Sequence, residues 1–342
     1  MKNINSTNLS GKTEIDLLLT TRCNLACKHC LYVDHKKFVD LDDKILKIIL
    51  DKLPVNGSEV HLLGGEPLCR TDIVKIVDKI NKKQLNPQIL TNGFALTDSL
   101  LKKLHQAGLK KIGFSLDGTK SVHNFIRGKG DVFQRVIRAI KAIKKLGYIP
   151  KISSAVHQHN KDSILKLIPF LDKLGVQRVL IEHFLPINGG TQLAGKNLNK
   201  KEWQAFIKDI KVLKKINKLS IRVAVQKVFY DKQEARDFSC VCKNLKYPIV
   251  DSSGNYYPCI IYYAAGFPAG NLNKDTWEKI HSVKSISSYI KKVNKITGHV
   301  KVNKIKVLCP AIKLLVVRKE LDLSSISNVK GTIGCFHKVE LL

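Results

Sequence analysis

The stretch that decides the fold is Thr21-Arg22-Cys23-Asn24-Leu25-Ala26-Cys27-Lys28-His29-Cys30. Three thiols stand at Cys-x3-Cys-x2-Cys spacing, directly after the apolar run Ile15-Asp16-Leu17-Leu18-Leu19-Thr20. Thiolates are soft ligands that select zinc, copper(I) or iron–sulfur groups. Three of them in so short a loop can wrap one face of a cluster and leave one metal without a protein ligand. An iron with an open position can bind a small molecule and pass it an electron. Cys27-Lys28-His29-Cys30 alone also fits a redox dithiol or half a zinc site. Cys23 shifts the balance, because a dithiol enzyme does not need it and a zinc site would need a fourth ligand nearby.

Working outward, the chain alternates short β-rich runs with helical patterns. Strands are expected at 14–20, 59–63, 87–91, 111–116, 149–156 and 178–183, and helices at 42–53, 72–81, 97–107, 132–146 and 161–174. Repeated β-then-α units argue for parallel strands joined by right-handed crossovers. In barrels of such units, reactive groups gather at the C-terminal ends of the strands, which is where the loop and the motifs below fall.

Cys-x3-Cys-x2-Cys after a first strand resembles the radical S-adenosylmethionine (SAM) superfamily. The resemblance implies an α/β fold, a partial (β/α)6 barrel open on one side. It implies that Cys23, Cys27 and Cys30 hold a 4Fe-4S cluster whose fourth iron takes the amino and carboxylate groups of SAM. His29 stands where that family usually has an aromatic residue. Gly64-Gly65-Glu66-Pro67 follows the second strand; glycines allow close backbone approach, and a carboxylate beside them can accept from an ammonium. On strand two it resembles the family's motif for the SAM amine, so Gly64, Gly65 and Glu66 are candidate cofactor contacts. Leu90-Thr91-Asn92-Gly93 resembles the turn lining the SAM pocket, with Asn92 the candidate contact. Ser115-Leu116-Asp117-Gly118, with His123 and Arg127 beyond, resembles the peptide- and cofactor-modifying branch. It implies that Ser115 touches the SAM ribose and Arg127 the SAM carboxylate, which the planar fork of an arginine suits. Asp117 is read as a turn residue. His157, His159, Glu182 and His183 at the ends of strands five and six are read as hydrogen-bonded structural groups, ahead of substrate contact or proton transfer. Cys69 is read as a packed residue that would alternatively face the pocket as a hydrogen-atom donor.

The 342 residues carry 59 Lys and Arg against 28 Asp and Glu, a net charge of +31. Such a field attracts acidic partners without choosing among nucleic acid, peptide and redox protein, and it also fits solvated lysine-rich helix faces. Nine cysteines in a chain of this length do not suggest a disulfide scaffold. The start Met1-Lys2-Asn3-Ile4-Asn5-Ser6-Thr7 has no apolar core of a signal peptide, and no stretch approaches a membrane span. A cytoplasmic, reducing location is the expectation, with no membrane partner.

Pro186, Gly189, Gly190 and Gly195 mark a connector that ends the barrel, and 200–216 reads as a lysine-rich helix. The expected division is a radical SAM barrel at 1–190, a connector and helix at 191–235, and a small α+β domain at 236–342. In the last, Cys240 and Cys242 precede a β-hairpin whose turn is Ser253-Gly254-Asn255, and a hairpin would bring Cys242 and Cys259 together. Cys242-x11-Gly254-x4-Cys259, with Gly270-Asn271-Leu272 beyond, resembles the opening of a SPASM/twitch domain, which holds auxiliary iron–sulfur clusters. Only Cys309 and Cys335 follow, so the count supports one auxiliary cluster, on Cys242, Cys259 and two of Cys240, Cys309 and Cys335. Five thiols for four places leave one spare, and Cys240 joins Cys69 as a candidate hydrogen-atom donor.

The resemblance therefore implies an enzyme that makes a 5′-deoxyadenosyl radical from SAM. The leading expectation is modification of a ribosomally made precursor peptide by epimerisation, thioether formation or carbon–carbon crosslinking. The alternative is maturation of a small cofactor such as a haem or quinone precursor. Nucleic acid is ranked low as a substrate, because no recognised RNA-binding signature appears, and a non-enzymatic iron–sulfur or zinc module ranks last. An acidic flavodoxin or ferredoxin would suit the basic surface as electron donor. The 22 residues before Cys23 are too few for an N-terminal leader-binding domain.

Overall fold

The computed structural model describes residues 13–32, 38–55, 57–302, 305–321, 331–335 and 339–342; the stretch 1–7 discussed above lies outside them. Elements follow in the order β1 (Glu14–Leu18), α1 (Asp43–Lys52), β2 (Glu59–Leu63), α2 (Ile73–Lys82), β3 (Asn86–Thr91), α3 (Asp98–Gln106), β4 (Lys111–Ser115), α4 (Lys120–Arg127), α5 (Val132–Lys145), β5 (Lys151–Val156), α6 (Lys161–Lys173), β6 (Arg178–His183), α7 (Lys200–Ile216) and β7 (Arg222–Gln226). Beyond them come β8 (Phe229–Tyr230), α8 (Lys232–Arg236), β9 (Ile249–Val250), β10 (Asn255–Tyr257), α9 (Ile260–Ala264), β11 (Gly270–Asn271), α10 (Trp277–Ile280), α11 (Val283–Thr297), β12 (Lys301–Val302), β13 (Ile305–Val307), α12 (Pro310–Val317), β14 (Gly331–Ile333) and β15 (Val339–Leu341).

β1 to β6 pair in chain order and all in parallel, as the alternating pattern requires. Ile15 and Leu17 of β1 and Val60 and Leu62 of β2 are fully buried, and Ile45, Leu46, Ile49 and Leu50 of α1 bury one helical face. Removing such side chains from water contributes about 1.5–3 kcal/mol each. Alternation puts polar residues on the opposite face of the strands. There Asp16, His61, Gln88 and Lys111 form one row in register across β1 to β4.

The sheet runs further than six strands. After α7, β7 adds in parallel to β6, and β15 closes that edge in antiparallel. At the other edge β9 lies parallel to β1, with Asp16↔Ile249 and Leu17↔Val250 paired, and β10 and β11 continue in antiparallel. The result is one sheet of order β11-β10-β9-β1-β2-β3-β4-β5-β6-β7-β15, with β12, β13, β14 and β8 in a second, smaller sheet. The connector expected after the barrel thus contributes a barrel strand, and the hairpin of the last segment is hydrogen-bonded to the first strand. Among the described residues no helix is long and apolar enough to cross a membrane.

Candidate active site

The cysteine loop leaves the C-terminal end of β1 and is held on three sides. Thr21 N–H donates to Val39 O at 2.9 Å, and the Thr20 hydroxyl donates to Asp40 at 2.5 Å. Gly65 N–H and Glu66 N–H, at the end of β2, donate to Thr20 O and Arg22 O at 2.8 and 2.7 Å. A Cβ on Gly65 would lie 2.3 Å from Arg22 O, and one on Gly64, whose φ is +140°, 2.5 Å from Thr20 O. The two glycines therefore let β2 and the loop touch backbone to backbone. On the third side Lys28 N–H donates to Ile126 O of α4 at 3.0 Å. Beneath the loop, Arg70 donates to Leu19 O and Leu41 O at 3.0 and 2.9 Å and is fixed by Asp72. Sequence reasoning missed Arg70.

Burial pushes the Cys23 and Cys30 thiols up to about 12 and 11, and each also feels its neighbouring thiols. Burial raises Cys27 as well, against the opposing pull of Arg127. Among the described residues no three His, Cys, Asp or Glu side chains converge on a single ion. The sulfurs of Cys23 and Cys30, partly exposed, and of Cys27, buried, fit instead a group larger than one metal and approached from the open side. Binding there must displace three protons, which couples metal uptake to pH.

Of the residues expected to contact SAM, Glu66, Asn92 and Arg127 reach this loop. Glu66 is 1% exposed; it accepts from Leu68 N–H (3.1 Å), the Thr91 hydroxyl (2.6 Å) and Asn92 N–H (2.8 Å). Its carboxylate thus locks the end of β2 to the end of β3, and burial raises its pKa. Asn92 donates to Asn24 Oδ1 at 2.8 Å and reaches Cys23 Sγ at 3.9 Å. Ser115 is half-buried at the end of β4, and its hydroxyl makes no hydrogen bond among the described residues. Arg127, on α4, gives Nε and one terminal nitrogen to Asp117 Oδ2 at 2.7 and 2.6 Å and turns the other toward Cys27 Sγ at 3.7 Å. Its fork is taken by a carboxylate of the chain itself. Cys69 sits half-buried beside the site, its thiol raised by burial and by the charge of Glu66.

Asp117 is more than the turn residue the sequence suggested. It is 1% exposed and faces Arg127, His29 (3.6 Å) and His123 (3.7 Å). Burial would raise its pKa, but Arg127 and the two imidazoles hold it well below the usual carboxylate range. His29, His123 and His157 are pushed down by burial to about 4, 3 and 4, so at neutral pH all three are neutral. His123 Nδ1 accepts from Asp117 N–H at 3.0 Å, which leaves its proton on Nε2, a buried atom without a partner. His157 is fully buried and neither ring nitrogen is bonded, so the structural role expected for it is not seen. For His183 it is: Nε2 donates to Leu198 O at 2.7 Å and the ring packs edge-on to Trp203.

The late cysteines form a second group. Cys240, Cys242, Cys259, Cys309 and Cys335 are each at most 6% exposed. Cys242 lies beside both Cys240 and Cys259, and these neighbours and burial keep it protonated far above the usual thiol range. Cys309 is raised by burial and then by Cys240, Cys335 and Cys259. A cavity of about 400 Å³ opens beside Cys240, lined among others by Lys243, Asn294, His299 and Lys313.

Fold and site together define an open parallel α/β barrel with a three-thiol loop at its mouth. The chain belongs to the radical SAM superfamily, whose model matches residues 17–171, and that family uses a 4Fe-4S cluster and SAM. It is 33% identical over 193 residues to a GTP 3′,8-cyclase of Clostridium perfringens, covering 53% of this chain and 59% of that one. It is 31% identical over 220 residues to a probable GTP 3′,8-cyclase of Saccharolobus islandicus, covering 61% and 69%. It is also 28% identical over 188 residues to an Fe-coproporphyrin III synthase of Methanosarcina barkeri, covering 54% and 47%. The chain thus spans about half to two thirds of the length of these relatives. Among solved structures, SuiB of Streptococcus suis bound to its precursor peptide SuiA has the same fold, with a TM-score of 0.69 at 16% identity, covering 94% of this chain and 77% of that one.

Proposed function

We propose that the protein is a radical SAM enzyme that modifies a ribosomally made peptide. A reduced 4Fe-4S cluster, when bound, supplies the electron that splits SAM into methionine and a 5′-deoxyadenosyl radical, which takes hydrogen from an unactivated C–H bond. Cys23, Cys27 and Cys30 would hold that cluster. Gly64 and Gly65 set the loop's distance from β2. Glu66, Asn92 and Ser115 would present one carboxylate, one amide and one hydroxyl to SAM, with Arg127 kept cationic by Asp117. The late cysteines would hold one auxiliary iron–sulfur cluster, with Cys69 or a spare late thiol as hydrogen-atom donor.

The observation that carries the peptide reading is a single sheet that runs from β11 to β15 without closing, with the three-thiol loop after β1 and Cys259 after β10. An open barrel admits a chain as substrate, and the peptide-bound SuiB shares the fold over 94% of this chain. The second reading, maturation of a small cofactor, is favoured by the named sequence relatives. Incubation of the reconstituted protein with SAM, dithionite and a short peptide encoded beside its gene separates them. A peptide mass or stereochemical change dependent on SAM supports the first reading. An unaltered peptide, with turnover of GTP or an iron porphyrin instead, supports the second. An acidic flavodoxin or ferredoxin remains the proposed donor.

A further inference from the structure

One buried polar atom of the late region stands apart. Tyr262 lies on α9, three residues after Cys259, is fully buried, and its hydroxyl has no hydrogen-bond partner. Its surroundings provide for every other tyrosine there. Tyr256 meets His281 Nδ1 at 2.8 Å, Tyr257 donates to Asp251 at 3.0 Å, Tyr289 to Phe267 O, and Tyr230 to Cys335 O at 3.3 Å; Tyr247 and Tyr263 are engaged as well. An unbonded hydroxyl buried in this way destabilises the fold. The ring is fixed edge-on against Tyr289 of α11, with centroids 5.0 Å apart, so the hydroxyl cannot swing out to water. α9 starts from Cys259 as its N-cap and packs against α12, which starts from Cys309, and the charges of these thiols and of Cys240 and Cys242 bear on the hydroxyl. None of these sulfurs is within bonding reach of the hydroxyl. It is therefore a buried donor on a helix that joins Cys259 to the Cys309 end of α12, lacking the acceptor that a sulfur held by these cysteines would supply.

We propose that the Tyr262 hydroxyl donates a hydrogen bond to the iron–sulfur group of the late cysteines and sets its reduction potential. The inference rests on the auxiliary-cluster reading. Hydrogen bonds to cluster sulfurs are among the factors that set the potential; a donor favours the more negative, reduced form, so Tyr262 raises the potential. The variant Tyr262→Phe removes only the hydroxyl and keeps the ring against Tyr289.

The test uses the full chain carrying Cys23→Ala, Cys27→Ala and Cys30→Ala, reconstituted anaerobically, so that any remaining iron belongs to the late site. Iron and sulfide are counted, and the midpoint potential is read by EPR-monitored titration with and without Tyr262→Phe, with Tyr289→Phe as a control. The expected result is bound iron, a lower midpoint for Tyr262→Phe and a smaller change for Tyr289→Phe. Melting gives an independent sign: Tyr262→Phe should leave the metal-free chain as stable or more stable, and make the loaded chain less stable. Iron with an unshifted midpoint overturns the tyrosine's role and leaves the cluster standing. No iron in the triple variant overturns both.

Discussion

Asp117 and Arg127 form an ion pair that the chain has removed from water, and such a pair is stable only while both members are present. Cutting one partner leaves an uncompensated charge, at a cost of about 3–5 kcal/mol. Asp117→Asn should therefore lower the unfolding free energy by that amount, read as a lower urea midpoint, and release the Arg127 fork toward Cys27; an unchanged midpoint would contradict the pairing. The sequence showed Asp117 within Ser-Leu-Asp-Gly and Arg127 ten residues on, but not that they face each other. Side-chain direction depends on α4, a helix of eight residues too short for its periodicity to stand out between a turn and Gly128-Lys129-Gly130. His157 was misjudged for a related reason: its place at the end of β5 was legible, whereas the lack of any partner is a property of the packed surroundings.

At the scale of elements, the site exists because the ends of β1, β2, β3 and α4 touch. Gly65→Ala puts a methyl group against the Arg22 carbonyl, and backbone has nowhere cheap to go. Overpacking of this kind costs about 1–3 kcal/mol. The variant should melt lower and take up less iron per chain on reconstitution; wild-type iron and melting would show that the loop does not depend on this contact. The row Asp16, His61, Gln88 and Lys111 makes a second prediction. Burial alone would lower the His61 pKa, but bonds to Asp16 (2.8 Å) and Glu59 (3.5 Å) raise it to about 9. A raised histidine stabilises the fold fully below its unfolded value of about 6.5, and that contribution disappears as pH rises through 9. His61→Asn should thus reduce the melting temperature most near pH 6 and least above pH 9; a difference that grows with pH would contradict the bonded, protonated imidazole. The six strands and their helices were readable to within a few residues because burial imposes periods of 2 and 3.6. The seventh strand was not, since Arg222–Gln226 follows a glycine- and proline-marked segment that reads as an exit from the barrel.

In the whole molecule, the last segment is no separate bead on the chain. β9 completes the exposed edge of β1, the strand that launches the cysteine loop, and an open β edge is otherwise a site of unwanted pairing. Cys259 follows β10, two strands from β1, while Cys309 and Cys335 follow β13 and β14 of the smaller sheet. The two cysteine groups were legible from their spacing; the pairing of β9 with β1 was not, because two-residue strands leave almost no pattern. The net charge of +31 gives the molecule a long-range pull on acidic donors and substrates that salt would weaken.

If Cys23, Cys27 and Cys30 hold a cluster whose electron splits SAM, the chain yields 5′-deoxyadenosine and methionine. The direct measurement is anaerobic incubation of the reconstituted chain with dithionite and SAM, with 5′-deoxyadenosine and methionine quantified, beside the Cys27→Ala variant. The expected result is both products in equal amounts from the intact chain and neither above background from the variant. Absence of both from an iron-loaded intact chain, or equal yields from the variant, would contradict it.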